Sequence, residues 1–123
     1  MKDALRALLD KTSPYAPLLW CVSLAIVIAL TLAPGLGPPA TFGLDKIAHF
    51  AAYGGLAALA ALTLQPRIRR WALLVLLIAA CSTEVAQMLI TDRSGKVADA
   101  LANVLGIVVG TTVGRALTRL LNE

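Results

Sequence analysis

The sequence predicts an all-α fold: a bundle of four transmembrane helices with both termini on the cytoplasmic side. Three observations lead there. Hydrophobic residues make up 59% of the 123, charged residues only 15%, and the mean hydropathy is +0.80. A soluble domain of this length carries about a quarter charged residues and could not hide so much apolar surface. The apolar residues gather into four runs, each near the roughly 20 residues a helix needs to cross a bilayer core of about 30 Å. Finally, the basic residues are segregated. Eight of the eleven (Lys2, Arg6, Lys11, Arg67, Arg69, Arg70, Arg115 and Arg119) fall on one side of that topology, and only Lys46, Arg93 and Lys96 on the other. Basic residues mark cytoplasmic segments, so both termini and the "QPRIRRW" turn are assigned to the cytoplasm. Sheet alternatives are poor, because open strand edges leave backbone groups unsatisfied in hydrocarbon.

The elements follow in order, as one domain over 1–123. The first span, about 17–33, follows a charged arm that resembles the n-region of a signal peptide. "LTLAPGLGPPA" offers no clean small-x-small cleavage site, however, and "MKDALRALLDKTSPY" is long for an n-region. The span is therefore read as a retained helix. "APGLGPPATFG" stops it and forms an outer, turn-rich connection. The second span covers 47–64, the third 71–90 and the fourth 98–117. Tyr15, Trp20 and Trp71 fall at the inner boundary, where aromatic rings anchor helices. Cys21 and Cys81 lie inside spans without CxxC spacing and behave as small apolar residues. The net charge of +4 reports topology. No basic, aromatic-interleaved patch points to nucleic acid.

Polar residues interrupt this pattern at one level. "LDKIAHFAAYGG" places Asp45, His49 and Tyr53 at i, i+4 and i+8 along one helix face. They span about 12 Å at 1.5 Å per residue, reaching from the interface into the outer leaflet. The third span brings Glu84 and Gln87 of "STEVAQ" to its outer end, "TDRSGK" follows with Asp92, Arg93 and Lys96, and the fourth opens with Asp99 and Asn103. A lone charge at bilayer depth costs a few kcal/mol or more, so such groups pair or line a wet cavity. Glu84 is expected to face His49, Arg93 or Lys46. The fourth span also carries Gly106, Gly110 and Gly114, a GxxxGxxxG ridge read as packing, with Gly54 and Gly55 as its receiving groove.

The ordered set "DKIAHFAAYGGL", "EVAQ", an arginine and "DALANVLGIVVG" resembles the VanZ-like family of small bacterial membrane proteins. The matched positions are Asp45, Lys46, His49, Phe50, Tyr53, Glu84, Gln87, Arg93, Asp99, Asn103, Gly106 and Gly110. The resemblance covers about Leu44 to Gly114. The chain departs from the family at "EVAQMLITDR", where members often carry Pro-Gly before the arginine. The resemblance implies a multi-pass protein of the bacterial inner membrane with a role in the cell envelope. The family's namesake is associated with reduced sensitivity to the glycopeptide antibiotic teicoplanin, but the resemblance supplies no reaction.

The residues themselves leave two readings open at each position. His49, Glu84 and Asp45 are the candidate catalytic set: His49 as acid, base or nucleophile, with the carboxylates orienting it. The bland alternative is a packing histidine with structural ion pairs. Lys46, Tyr53, Gln87, Arg93, Asp99 and Asn103 are the candidate substrate-binding set. Arg93 and Lys46 suit an anionic headgroup, phospholipid or polyprenyl phosphate. Against that, Lys46 is able to snorkel, Asp99 to favour a helix N-terminus, and Gln87 and Asn103 to act as interhelical glue. No cofactor is predicted. The carboxylates leave room for a divalent cation that no motif demands. The function classes are a membrane enzyme acting on an anionic lipid-linked substrate, a non-catalytic binder of such a molecule, and a transporter. The last is disfavoured because the inner halves of the spans hold almost only Leu, Ile, Val and Ala.

Overall fold

The structure, a computed structural model, describes residues 1–33, 35, 37, 39, 41–90 and 97–123. The described chain is all helical: α1 (Lys2–Thr12), α2 (Ala16–Leu32), α3 (Leu44–Thr63), α4 (Pro66–Ile90) and α5 (Val97–Asn122). Short 3-10 turns precede α2 at Ser13–Tyr15 and α3 at Thr41–Gly43.

Local chemistry accounts for the helix ends. Pro17 stands at the start of α2, where a missing N–H costs nothing. Ala33 leaves the helix with φ −70° and ψ 123°, because the proline that follows disfavours helical backbone before it. Gly43, at φ 69°, turns the chain into α3 in a left-handed conformation that glycine adopts without strain. Only Leu64, in extended conformation, and Gln65 separate α3 from α4, and Pro66 opens α4.

The spans expected at 47–64, 71–90 and 98–117 are longer than their apolar runs. α3 begins at Leu44 because Asp45 suits a helix N-terminus, and α4 begins at Pro66 because arginines sustain helix as well as leucine does. α5 likewise runs on to Asn122. The bilayer limits the apolar stretch, not the helix. The expected bundle had no α1, yet Leu5, Leu8 and Leu9 give Lys2–Thr12 one apolar stripe. Lys2 Nζ donates to Leu120 O at 3.4 Å, bringing α1 to the C-terminal end of α5.

Three helical stretches are long and apolar enough to cross a membrane: Ser13–Leu32, Pro66–Leu89 and Val97–Asn122. α3 is not among them, because its first two turns hold Asp45, Lys46 and His49. It compensates by burial. Tyr53, Leu56, Ala57 and Ala60 are all enclosed, in a core that includes Trp20 and Leu24 of α2 and Ala72, Leu76 and Ala80 of α4. Trp20 is therefore not an interfacial anchor as expected. Its ring is 4% exposed, and Nε1 donates to Leu56 O at 2.9 Å. Tyr15 and Trp71 remain exposed. Cys21 and Cys81 are exposed free thiols.

The tightest pairing is α3 with α5. The two run parallel: Gly106 meets Phe50 and Gly54, Gly110 meets Gly54, and Gly114 meets Ala58 and Ala61. A Cβ on Gly110 would overlap the Gly54 carbonyl, and one on Gly114 would come within 2.7 Å of Ala58 O, so the two backbones touch. The glycine ridge works as read from the sequence, with one change. Gly54 receives it, whereas Gly55 faces open space, 100° round the helix.

Candidate functional site

The α3–α5 register decides what meets at the N-terminal ends of both helices. With Phe50 and Gly54 against Gly106, one turn earlier His49 lies against Asn103, and one turn further Lys46 lies against Asp99. The pair distances follow. His49 Nδ1 is 3.1 Å from Asn103 Oδ1, and Lys46 Nζ is 3.6 Å from Asp99 and 3.4 Å from Asp45. α4 runs antiparallel beside them and adds Glu84, whose Oε1 is 3.7 Å from His49 Nδ1.

Asn103 is the hub. It is fully buried, and its amide nitrogen donates to Glu84 Oε1 at 3.3 Å and to Ala80 O at 3.4 Å. From α5 it therefore ties α3 and α4 together. Its orientation also assigns the histidine tautomer. Turning the amide over would aim its oxygen at a carboxylate and a carbonyl, both acceptors, so the nitrogen faces them and Oδ1 faces His49. His49 Nδ1 then carries the proton and donates to Asn103. No hydrogen bond reaches Nε2 among the described residues. Glu84 is nearly as enclosed, and its Oε2 has no hydrogen-bond partner among the described residues.

Not every expected binding residue faces an open site. Tyr53 lies on the His49 side of α3 but is fully buried, its hydroxyl 3.0 Å from Thr83 Oγ1. Gln87 Nε2 donates to Thr31 O at 2.8 Å, linking α4 to α2. Lys46, expected to attract an anion, is clamped between two carboxylates, although 38% of its side chain is exposed. Asp99 and Asp45 are largely enclosed. Thr83 escaped the sequence reading, although it stands inside the polar "STEVAQ" stretch next to Glu84. Arg93 lies outside the described residues, as do Asp92 and Lys96. Among the described residues no group of three or more His, Cys, Asp or Glu side chains is arranged to hold a metal ion.

The described cluster thus contains three carboxylates, one lysine and one histidine whose Nε2 has no hydrogen-bond partner among the described residues, partly buried at one end of an otherwise apolar bundle. Three bilayer-length helical stretches around such a centre define a multi-pass membrane protein. The VanZ/LLP1 family model matches residues 8–118, and the chain belongs to that family. No curated protein and no solved structure matches it.

Proposed function

We propose that this VanZ/LLP1 protein crosses the bacterial inner membrane with four helices, α2 to α5, both termini in the cytoplasm, and binds a lipid-linked envelope molecule at its outer polar end. His49 Nε2 is the group that exchanges a proton with the bound molecule. The observation that carries this reading is the His49–Asn103–Glu84 network. Holding ionisable groups at bilayer depth is costly, and here their orientation leaves one imidazole nitrogen, Nε2, without a hydrogen-bond partner among the described residues. A packing histidine needs no such arrangement.

An anionic group on the ligand is met by Arg93, carried on the connection between Glu84 and Asp99, with Lys46 already neutralised by its two carboxylates. Glu84 orients and stabilises the imidazolium that forms on proton uptake, and Asp45 holds Lys46. A second reading, binding without turnover, is favoured by Asn103 and Tyr53, whose polar atoms are spent on neighbouring helices.

The test compares cells expressing wild type, His49→Ala, Glu84→Gln and Arg93→Ala by profiling membrane lipids and lipid-linked intermediates. A lipid change that vanishes with His49→Ala and Arg93→Ala supports proton chemistry at the site. Full cellular activity in His49→Ala with loss in Arg93→Ala leaves binding alone. Full activity in all three variants removes the site.

A further inference from the structure

At the end of the bundle opposite His49, the first turn of α4 and the last turns of α5 line an open recess of about 410 Å³, bordered by Arg69, Thr118, Arg115 and Arg119. Its three guanidinium groups make no ion pair among the described residues. Arg69 is half-buried, and its Nε–H is shielded from solvent without a hydrogen-bond partner among the described residues. Arg115 and Arg119 are exposed; setting membrane topology requires arginines near a helix end, and Arg67 and Arg70, also exposed, already meet that need. It does not require three of them around one recess, one with a dehydrated, unanswered donor.

We infer that this recess is a second binding site, for the phosphate-bearing headgroup of an anionic phospholipid. Guanidinium forks match phosphate oxygens in pairs, and three around one recess supply more donors than a single phosphate needs. The position selects the source. Arg69 stands two residues from exposed Trp71, where α4 leaves its apolar stretch, so the recess opens at headgroup level beside lipid. Basic recesses between membrane helices are a recurrent way of holding such headgroups. The recess lies at the far end from the His49 cluster and does not depend on its function.

The test titrates the purified full chain, in a neutral detergent, with phosphatidylglycerol, phosphatidylcholine or inorganic phosphate, and reads binding by native mass spectrometry. Phosphatidylglycerol is expected to bind well ahead of phosphatidylcholine. Arg69→Gln/Arg115→Gln is expected to weaken it by about tenfold or more, the loss of one or two charge-assisted contacts. Arg67→Gln/Arg70→Gln removes the same charge outside the recess and is expected to leave affinity within about twofold. Arg69→Lys/Arg115→Lys preserves charge and secures a folded comparison. It is expected to fall in between, because lysine lacks the fork. Equal losses in the two glutamine pairs, or phosphatidylcholine binding as tightly as phosphatidylglycerol, would overturn the site. Inorganic phosphate that displaces the lipid at equal concentration would overturn the lipid source and mark a free-anion site.

Discussion

Alanine at position 110 is the sharpest probe of how this bundle is held. The added Cβ would meet the carbonyl oxygen, carbonyl carbon and Cα of Gly54, all backbone, so no side chain is able to swing aside. Overpacking of this kind costs about 3 kcal/mol, against a gain of about 1 kcal/mol from replacing a helical glycine. The net expectation for Gly110→Ala is a loss of about 2 kcal/mol. Gly55→Ala, one residue from the contact and facing open space, keeps only the gain and is expected to stabilise by up to about 1 kcal/mol. Titration with a denaturing detergent in mixed micelles, followed by tryptophan fluorescence, measures the difference, because Trp20 is packed in the same core. The two alanine variants should differ by roughly 3 kcal/mol, or more than a hundredfold in the folding equilibrium. A Gly110→Ala midpoint equal to or above that of Gly55→Ala would refute the backbone contact between α3 and α5. With it would go the register that sets His49 against Asn103.

Further outcomes follow from the same geometry. Asn103→Leu removes the partner of both His49 Nδ1 and Glu84 Oε1 and is expected to cost about 2 kcal/mol by the same titration. Asn103→Gln, keeping the amide, should lose less. Trp20→Phe gives up the indole bond to Leu56 O and is expected to cost about 1–2 kcal/mol, whereas Trp71→Phe, on an exposed ring, should change little. A double-mutant cycle with Lys46→Met and Asp99→Asn is expected to show a coupling near 1 kcal/mol that falls with added salt, since the lysine is partly solvated. Topology is checked by single cysteines at Lys2 and Glu123 in a chain with Cys21 and Cys81 replaced by serine. Impermeant maleimide should reach neither site from outside intact cells.

The sequence carried the helical runs and the convergence of His49, Glu84, Asp99 and Asn103 because both depend on periodicity and direction, which spacing reveals. It carried less wherever a rotation or a partner decides. Gly54 and Gly55 are adjacent and chemically identical, and only the facing of α3 separates the one that touches α5 from the one that touches nothing. Trp20 and Trp71 share the look of interfacial anchors, yet one turns into the core. Lys46 reads as a partner for Glu84 or a headgroup-attracting cation until the register places Asp99 opposite it. α1 was missed because eleven residues with three leucines are too short and too charged to register as a span. Its helix draws support from contact with the end of α5.

The parallel pairing of α3 and α5 also has a consequence for how the protein is made. α3 and its parallel partner α5 are joined through antiparallel α4, so α3 and α4 are both synthesised before α5 exists. Until then Lys46 and His49 lack the partners that α5 supplies. The Asp99 carboxylate and the Asn103 amide that meet them leave the ribosome after α3 and α4. α5 therefore acts as the clasp of this polar cluster, which closes only once translation has delivered that helix.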